Sequence, residues 1–396
     1  MRPNTLLILP MVALWGCNSC WAQSEAVKAQ GLKTGTAQTD LAKTAAPLTY
    51  TNPLPVSIGD PYVLHDSGKY FMYGTGGGRG QTAYPTFTST DLVQWKSVGE
   101  SYTRNPADSW CTGMFWAPEV FRVKDRFYMF YSAQWRNNPN NERENFRIGV
   151  AVADNPAGPF RDIRNQPIFD PGYPIIDADV LFDSDGRIYL YYSRCCYKHP
   201  VPSELADWAK AQGWYNEIEE SWIYGVELKP DFSGVIGEAV LLLRPPVSLS
   251  EKKSEWENRS VRSHAVNRRW TEAPCSFKNG DTYYLMYSAN SVAGPDYALG
   301  YATAKKPLGP FEKADNNPVV QKNAEGTVTT TAHNCVTWSP DGTEMFCLYG
   351  ARAGGAQGRG RVLILDRMEI LKDGTLVVHS PTTTPQPYPS QKAQKP

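Results

Sequence analysis

One short pattern of apolar and polar positions recurs along the chain. A turn residue is followed by an aromatic-rich run that ends in Tyr and a small residue. The runs are KYFMYGT (Lys69–Thr75), RFYMFYSA (Arg126–Ala133), RIYLYYS (Arg187–Ser193), DTYYLMYSA (Asp281–Ala289) and TEMFCLYGA (Thr343–Ala351). Val, Ile, Tyr and Phe dominate, apolar positions alternate, and turn residues bound each run, so each reads as a β-strand. The marker tyrosines are Tyr73, Tyr131, Tyr192, Tyr287 and Tyr349, spaced 58, 61, 95 and 62 residues apart. A period near 60 indicates an array of β units. A shorter echo, NPAGPF at Asn155–Phe160 and KPLGPF at Lys306–Phe311, supports the repeat. A circular arrangement protects the sheet edges, so the expected fold is all-β, a five-bladed β-propeller. The long third interval predicts a partly helical insertion of roughly 35 residues, with helical character over Ser203–Trp222 and a charged stretch over Ser250–Arg269.

The expected boundaries are a signal peptide at 1–22, a linker at 23–47, the propeller at 48–380 and a disordered tail at 381–396. Arg2, the apolar run Leu6–Trp15 and the small-residue site near Ala22 carry the first of these. Cys17 ends a stretch similar to a lipobox, so a lipid anchor there is a second expectation. The localisation expected is secreted, periplasmic or outer-membrane lipoprotein in a bacterium. No other segment is apolar enough for a transmembrane helix.

Composition adds three things. Lys+Arg and Asp+Glu are both 40, a balance that argues against a nucleic-acid partner. Gly 32 and Pro 31 in 396 residues fit many turns rather than long helices. The cysteines beyond the leader, Cys111, Cys195, Cys196, Cys275, Cys335 and Cys347, contain no CxxC pair, so a cysteine zinc site is not expected. The adjacent Cys195 and Cys196 leave open a vicinal disulfide or two ordinary thiols. The runs around Gly74 and Gly354 lack the order of a phosphate-binding loop, and Asp183–Gly186 lacks the later ligands of a calcium loop.

Candidate chemistry lies upstream of each marker. Asp60, Glu119, Asp177 with Asp179, Glu272 and His333 fall 12 to 16 residues before their tyrosines. In a propeller the first strand of every blade lines the axis, so these positions converge on one funnel. Carboxyls packed together have their pKa values driven apart, one staying protonated as an acid while another stays ionised as a base. Glycoside hydrolysis needs that division. Sugar rings stack on aromatic faces, and Trp116 and Trp135 are the candidates for this.

The segments IGDPYV (Ile58–Val63), FWAPEV (Phe115–Val120), IDADVLFDSDG (Ile176–Gly186), TEAP (Thr271–Pro274) and AHNCV (Ala332–Val336) resemble glycoside hydrolase family 43 over roughly Thr51 to Val378. The resemblance implies a five-bladed propeller and inversion at the anomeric carbon. It implies Asp60 as general base, Glu272 as general acid and Asp177, in preference to Asp179, as the residue that orients the acid. Glu119 matches a position that is usually structural. His333 matches a histidine near the axis that often contacts a cation through water, so a structural calcium or sodium ion is expected there, with no cofactor required for the chemistry. Arg361 matches an arginine that reaches the sugar, with Arg352 and Arg359 as competitors. The expected partner is a carbohydrate from arabinose- or xylose-containing plant polysaccharide, and the expected activity is that of an exo-acting α-L-arabinofuranosidase. The alternatives are a β-xylosidase, a galactan-directed hydrolase of the same family, a related propeller enzyme such as a fructan-directed retaining hydrolase or a phosphorylase, and a propeller that only binds glycans.

Overall fold

Each recurrent run forms the second strand of an antiparallel sheet, four-stranded in blades 1 to 4 and five-stranded in blade 5. The computed structural model describes residues 48–391 apart from 77–81, 106, 108 and 355–359. Blade 1 consists of Gly59–Asp66, Lys69–Thr75, Ala83–Ser89 and Lys96–Thr103. Blade 2 consists of Cys111–Val123, Arg126–Trp135, Phe146–Ala153 and Arg161–Asp162. Blade 3 runs through Ile175–Phe182, Ile188–Arg194, Trp222–Leu228 and Val235–Leu243. Blade 4 runs through Thr271–Asn279, Thr282–Ala289, Ala298–Ala304 and Glu312–Lys313. In blade 5, Val328–Trp338, Met345–Ala353 and Val362–Ile370 are completed on the outer edge by Leu376–Val378 and by Leu54–Ser57 from the start of the fold. The first strand of each blade touches the first strand of the next, and that of blade 5 touches that of blade 1, so the ring is closed. The expected five-bladed propeller is the fold found.

Alternation along the strands supplies five apolar layers, one between each pair of neighbouring sheets. Between blades 3 and 4, for example, Leu181, Tyr189 and Tyr191 face Tyr283, Leu285 and Tyr287. The marker tyrosines are fully buried, and a buried hydroxyl needs a partner. Tyr131 donates to Asp162 at 2.6 Å, Tyr287 to Glu257 at 2.8 Å and Tyr349 to Asp366 at 2.6 Å.

The insertion is partly helical as expected. It contains the helix Glu204–Ala211, capped by Ser203, a 3₁₀ segment at Lys252–Asn258 and a short turn of helix at Arg259–Arg262. Its two ends are clamped together, Glu219–Glu220 pairing in parallel with Arg268–Arg269. The fully buried Arg269 and Glu220 form an ion pair there, and Arg269 also donates to Asn258 at 2.9 Å.

The tail differs from expectation. Gln386–Pro387 pairs with Thr49–Tyr50, Thr382 bonds to the buried Asp366, and Ser390 donates to Glu344 at 2.7 Å. Its polar side chains and backbone find partners on blade 5, which composition alone does not register. All six cysteines from Cys111 onward are buried free thiols, so Cys195 and Cys196 are not joined. The leader, the linker and Cys17 lie outside the described residues.

Candidate active site

The first strand of every blade carries a β-bulge at a common point, and those of blades 2 and 5 carry further irregularities before it. Register slips between Gly59 and Tyr62, Trp116 and Glu119, Ile176 and Asp179, Glu272 and Cys275, and Ala332 and Asn334. Within each bulge a non-glycine residue takes a left-handed conformation: Asp60 (φ 50°), Ala117 (43°), Asp177 (56°), Ala273 (53°) and His333 (59°). That conformation is unfavourable for residues with a Cβ, and bulges that use it re-aim side chains beside active sites. A proline follows in three of the five blades (Pro61, Pro118, Pro274), where the disrupted ladder has no need of its missing N–H.

The small residue after the marker tyrosine explains how the bulges are held. Ser132 accepts a hydrogen bond from the Asp177 N–H of the next blade at 2.9 Å, Ser193 from Ala273 at 3.0 Å and Ser288 from His333 at 3.0 Å. In blade 1 the residue after Tyr73 is Gly74, and Thr75, one position further on, accepts from the Ala117 N–H at 2.9 Å.

The bulges bring Asp60, Asp177, Glu272, His333, Arg361 and Trp116 into the wall of one cleft of about 420 Å³. Asp60 is clasped by the Arg361 guanidinium, whose Nη2 is 3.0 Å from Oδ2 while Nη1 bonds Oδ1. Thr75 donates to Asp60 Oδ2 at 2.5 Å, and His333 Nδ1 lies 3.1 Å from Oδ1. A Cβ at Gly59 would overlap the guanidinium, so glycine makes room for this clasp. Asp177 Oδ2 accepts from the Ala273 N–H at 3.2 Å and from Ser193 at 3.3 Å. Glu272 Oε1 accepts from the Tyr297 hydroxyl at 2.9 Å.

These surroundings push the carboxyls in opposite directions. Burial alone would raise Asp60, but Arg361, His333 and the bonds from Arg361 and Thr75 outweigh it and hold the group well below the usual carboxylate range. Burial raises Asp177 to about 6, with His333 opposing and Asp60 adding to the rise. Burial and then the charge of Asp177 lift Glu272 well above its ordinary value, against the bond from Tyr297. The cleft thus favours the ionised form of Asp60 and the protonated form of Glu272.

Asp179 lies one layer deeper on the same strand. It accepts from the Ser276 N–H at 3.0 Å and hydrogen-bonds to Glu119, and burial raises both groups, Asp179 to about 7. Neither lines the cleft. Trp135 does not line it either: the guanidinium of the fully buried Arg147 sits 4.9 Å from its ring. Arg147 in turn is held by Asp170 at 2.8 Å, so that face of Trp135 is occupied. Arg352 donates to the Ala293 carbonyl at 3.1 Å, and Arg359 lies outside the described residues. The sequence reading missed Trp270 and Tyr297, which share the wall with Trp116. Trp270 stands two residues before Glu272 and was legible by that nearness, whereas Tyr297 has no counterpart in the repeat. Among the described residues, no group of three or more His, Cys, Asp or Glu side chains is placed to hold a metal ion.

The model of the family Glycosyl hydrolases family 43 matches residues 50–376. The chain belongs to this family. It is a glycosidase that hydrolyses O-glycosyl bonds. This family 43 enzyme is 26% identical to the beta-D-galactofuranosidase xynD of Aspergillus niger, over 85% of this chain and 87% of that one. It is 24% identical to the extracellular endo-alpha-(1->5)-L-arabinanase 2 of Bacillus subtilis, over 68% of this chain and 53% of that one. Among solved structures, a thermostable family-43 glycoside hydrolase is 34% identical, with a TM-score of 0.73 over 87% of this chain and 100% of the other. An endo-1,4-beta-xylanase from Bacteroides thetaiotaomicron is 29% identical, with a TM-score of 0.64 over 86% and 99%.

Proposed function

We propose that this glycosidase removes terminal α-L-arabinofuranosyl residues from arabinose-containing polysaccharide with inversion at the anomeric carbon. The observation that carries the reading is the pair of carboxyls in one cleft, Asp60 clasped by Arg361 and Thr75 and Glu272 buried against the Tyr297 hydroxyl, surroundings that favour the ionised form of the first and the protonated form of the second. Asp60 takes a proton from a water molecule as its oxygen bonds to the anomeric carbon. Glu272 gives its proton to the glycosidic oxygen as that bond breaks. Asp177 keeps the proton on Glu272 until it is needed and fixes the adjoining Ala273 N–H. One turnover leaves Asp60 protonated and Glu272 ionised, and exchange with solvent resets both.

The cleft of about 420 Å³ is near the small end of ligand pockets, about 300–1,000 Å³, which favours a terminal sugar over the middle of a chain. A β-D-galactofuranoside is the second reading. A relative matched over most of this chain carries that activity in its name, and the two sugars share their ring configuration, differing in the side chain at C4.

The test compares aryl α-L-arabinofuranoside, β-D-galactofuranoside and β-D-xyloside, and follows the released sugar by NMR. The arabinofuranoside should give the highest kcat/KM, with the β-anomer appearing first. Glu272→Gln should lower kcat by roughly 10²- to 10⁴-fold, with the smallest loss where the leaving group needs no proton. Preference for the xyloside, or first release of the α-anomer, would overturn the proposal.

A further inference from the structure

The insertion carries a second cleft, of about 650 Å³, lined by Lys210, Trp214, Tyr215, Asn216, Glu217 and Asn267. Its chemistry follows from how the insertion folds. The helix Glu204–Ala211 ends at Gly213, which has φ 72°, and the Trp214 N–H bonds back to the Ala209 carbonyl at 3.0 Å. This left-handed turn directs the next residues off the helix axis. Trp208 and Tyr215 pack on a small core of Leu205, Ala209, Ile218 and Val261. Trp214 meets Trp208 edge to face, ring centroids 5.1 Å apart, and stacks on the exposed His264, centroids 4.8 Å apart and planes at 17°. The rest of its ring stays partly exposed in the wall of the cleft.

The cleft and the active-site wall share the same two segments. Glu217 is four residues before Ser221, and Asn267 three before Trp270; Ser221 and Trp270 both line the catalytic cleft. Between them lies the parallel clamp of Glu219–Glu220 with Arg268–Arg269 and its buried ion pair. Extended chain rises about 3.3 Å per residue, so Glu217 lies within roughly 13 Å of Ser221 and Asn267 within roughly 10 Å of Trp270, spacings that a short oligosaccharide can bridge. The lining offers aromatic rings, two amides that both donate and accept, and one cation balanced by one anion. That set suits a hydroxyl-rich neutral chain and gives no preference for an acidic one.

We propose that this cleft is a second carbohydrate site, which holds the backbone of a neutral polysaccharide while one of its terminal or side-chain sugars occupies the catalytic cleft. The inference rests on the glycosidase acting on a polysaccharide. Soluble neutral arabinoxylan is the probe, in two measurements. In affinity electrophoresis, the Glu272→Gln protein should be retarded by arabinoxylan, and adding Trp214→Ala should weaken that retardation roughly five- to tenfold. In the active enzyme, Trp214→Ala should raise KM for arabinoxylan by a similar factor with kcat kept, and leave kcat/KM for the aryl arabinofuranoside unchanged. Unchanged retardation and polymer KM would overturn the second site, and so would equal losses on polymer and aryl glycoside. Should Trp214→Ala fail to fold, the exposed pair Lys210→Ala with Asn216→Ala decides by the same two readings, with the same directions expected. Failure of the unmutated protein on every aryl glycoside would count against the arabinofuranosidase proposal, whereas the electrophoresis reads the second cleft without any turnover.

Discussion

Asp60 and Glu272 are both buried carboxyls in one cleft, and their neighbours alone decide which carries a proton. Arg361 is the largest attractive charge beside Asp60, so its removal should let the base protonate at milder acidity. In Arg361→Met the acidic limb of kcat/KM against pH should move upward, and kcat at neutral pH should fall roughly 10²-fold. Arg361→Lys should lie between, because an ammonium keeps the charge but not the two-pronged geometry. An acidic limb unmoved in Arg361→Met would show that Asp60 is not the titrating base. Asp60, Asp177, Glu272 and His333 were legible in the sequence as neighbours of one cleft because each belongs to a motif in register, whereas Arg361 could be named only with Arg352 and Arg359 as competitors. Trp135 was misjudged because nothing in the chain announces that Arg147 covers its ring. Tyr297 was missed because its hydroxyl reaches Glu272 across a fold the sequence does not display.

The tyrosine that marks each repeat is a core residue, and in blades 2, 3 and 4 the serine after it spans to the next blade, a part that Thr75 takes in blade 1. Its recurrence was visible in the sequence, but its purpose was not, since the bond it accepts comes from a backbone more than 40 residues away. Removing that acceptor strands a buried N–H, which costs about 1–3 kcal/mol. Ser288→Ala should therefore lower unfolding free energy by about that much in urea titrations and reduce kcat, because His333 loses the anchor of its bulge. Ser288→Thr, which keeps the hydroxyl, should recover most of both. At the seam between blades 5 and 1 the corresponding position is Gly350, with Arg361 passing beside it. The clasp on Asp60 stands where the repeat gives up its hydroxyl.

Across the whole propeller, several buried carboxyls are raised, while Asp60 and the more exposed Asp341 and Glu344 are lowered. Asp177 and Asp366 stand at about 6 and Asp179 at about 7, with Glu119 and Glu272 also raised. Burial is the first cause in each. The unfolded chain releases these protons near pH 4, so the folded state binds more protons above that pH. Their contribution to stability is complete below about pH 4 and is lost as pH rises through 6 and 7. Asp60 works the other way: its contribution is present above about pH 4 and disappears on further acidification. Melting temperature should peak near pH 4–5 and fall by roughly 5–10 °C at pH 8. A melting temperature that is flat or rises between pH 5 and 8 would contradict this. At this scale the sequence showed the number of blades and the place of the insertion, through a period that needs no side-chain detail. It did not show the role of the tail, because Thr382 and Ser390 look like solvent-facing residues until blade 5 supplies their partners, and Gln386 until Tyr50 pairs with it.

The outer edge of blade 5 is built from both ends of the fold, with Leu54 opposite Leu363 and Ser57 opposite Val362. A ribosome delivers those halves some three hundred residues apart. Until the later half arrives, the early strand has no edge to join and the four preceding sheets have no ring to close. The last step of assembly is thus tied to the last stretch of synthesis.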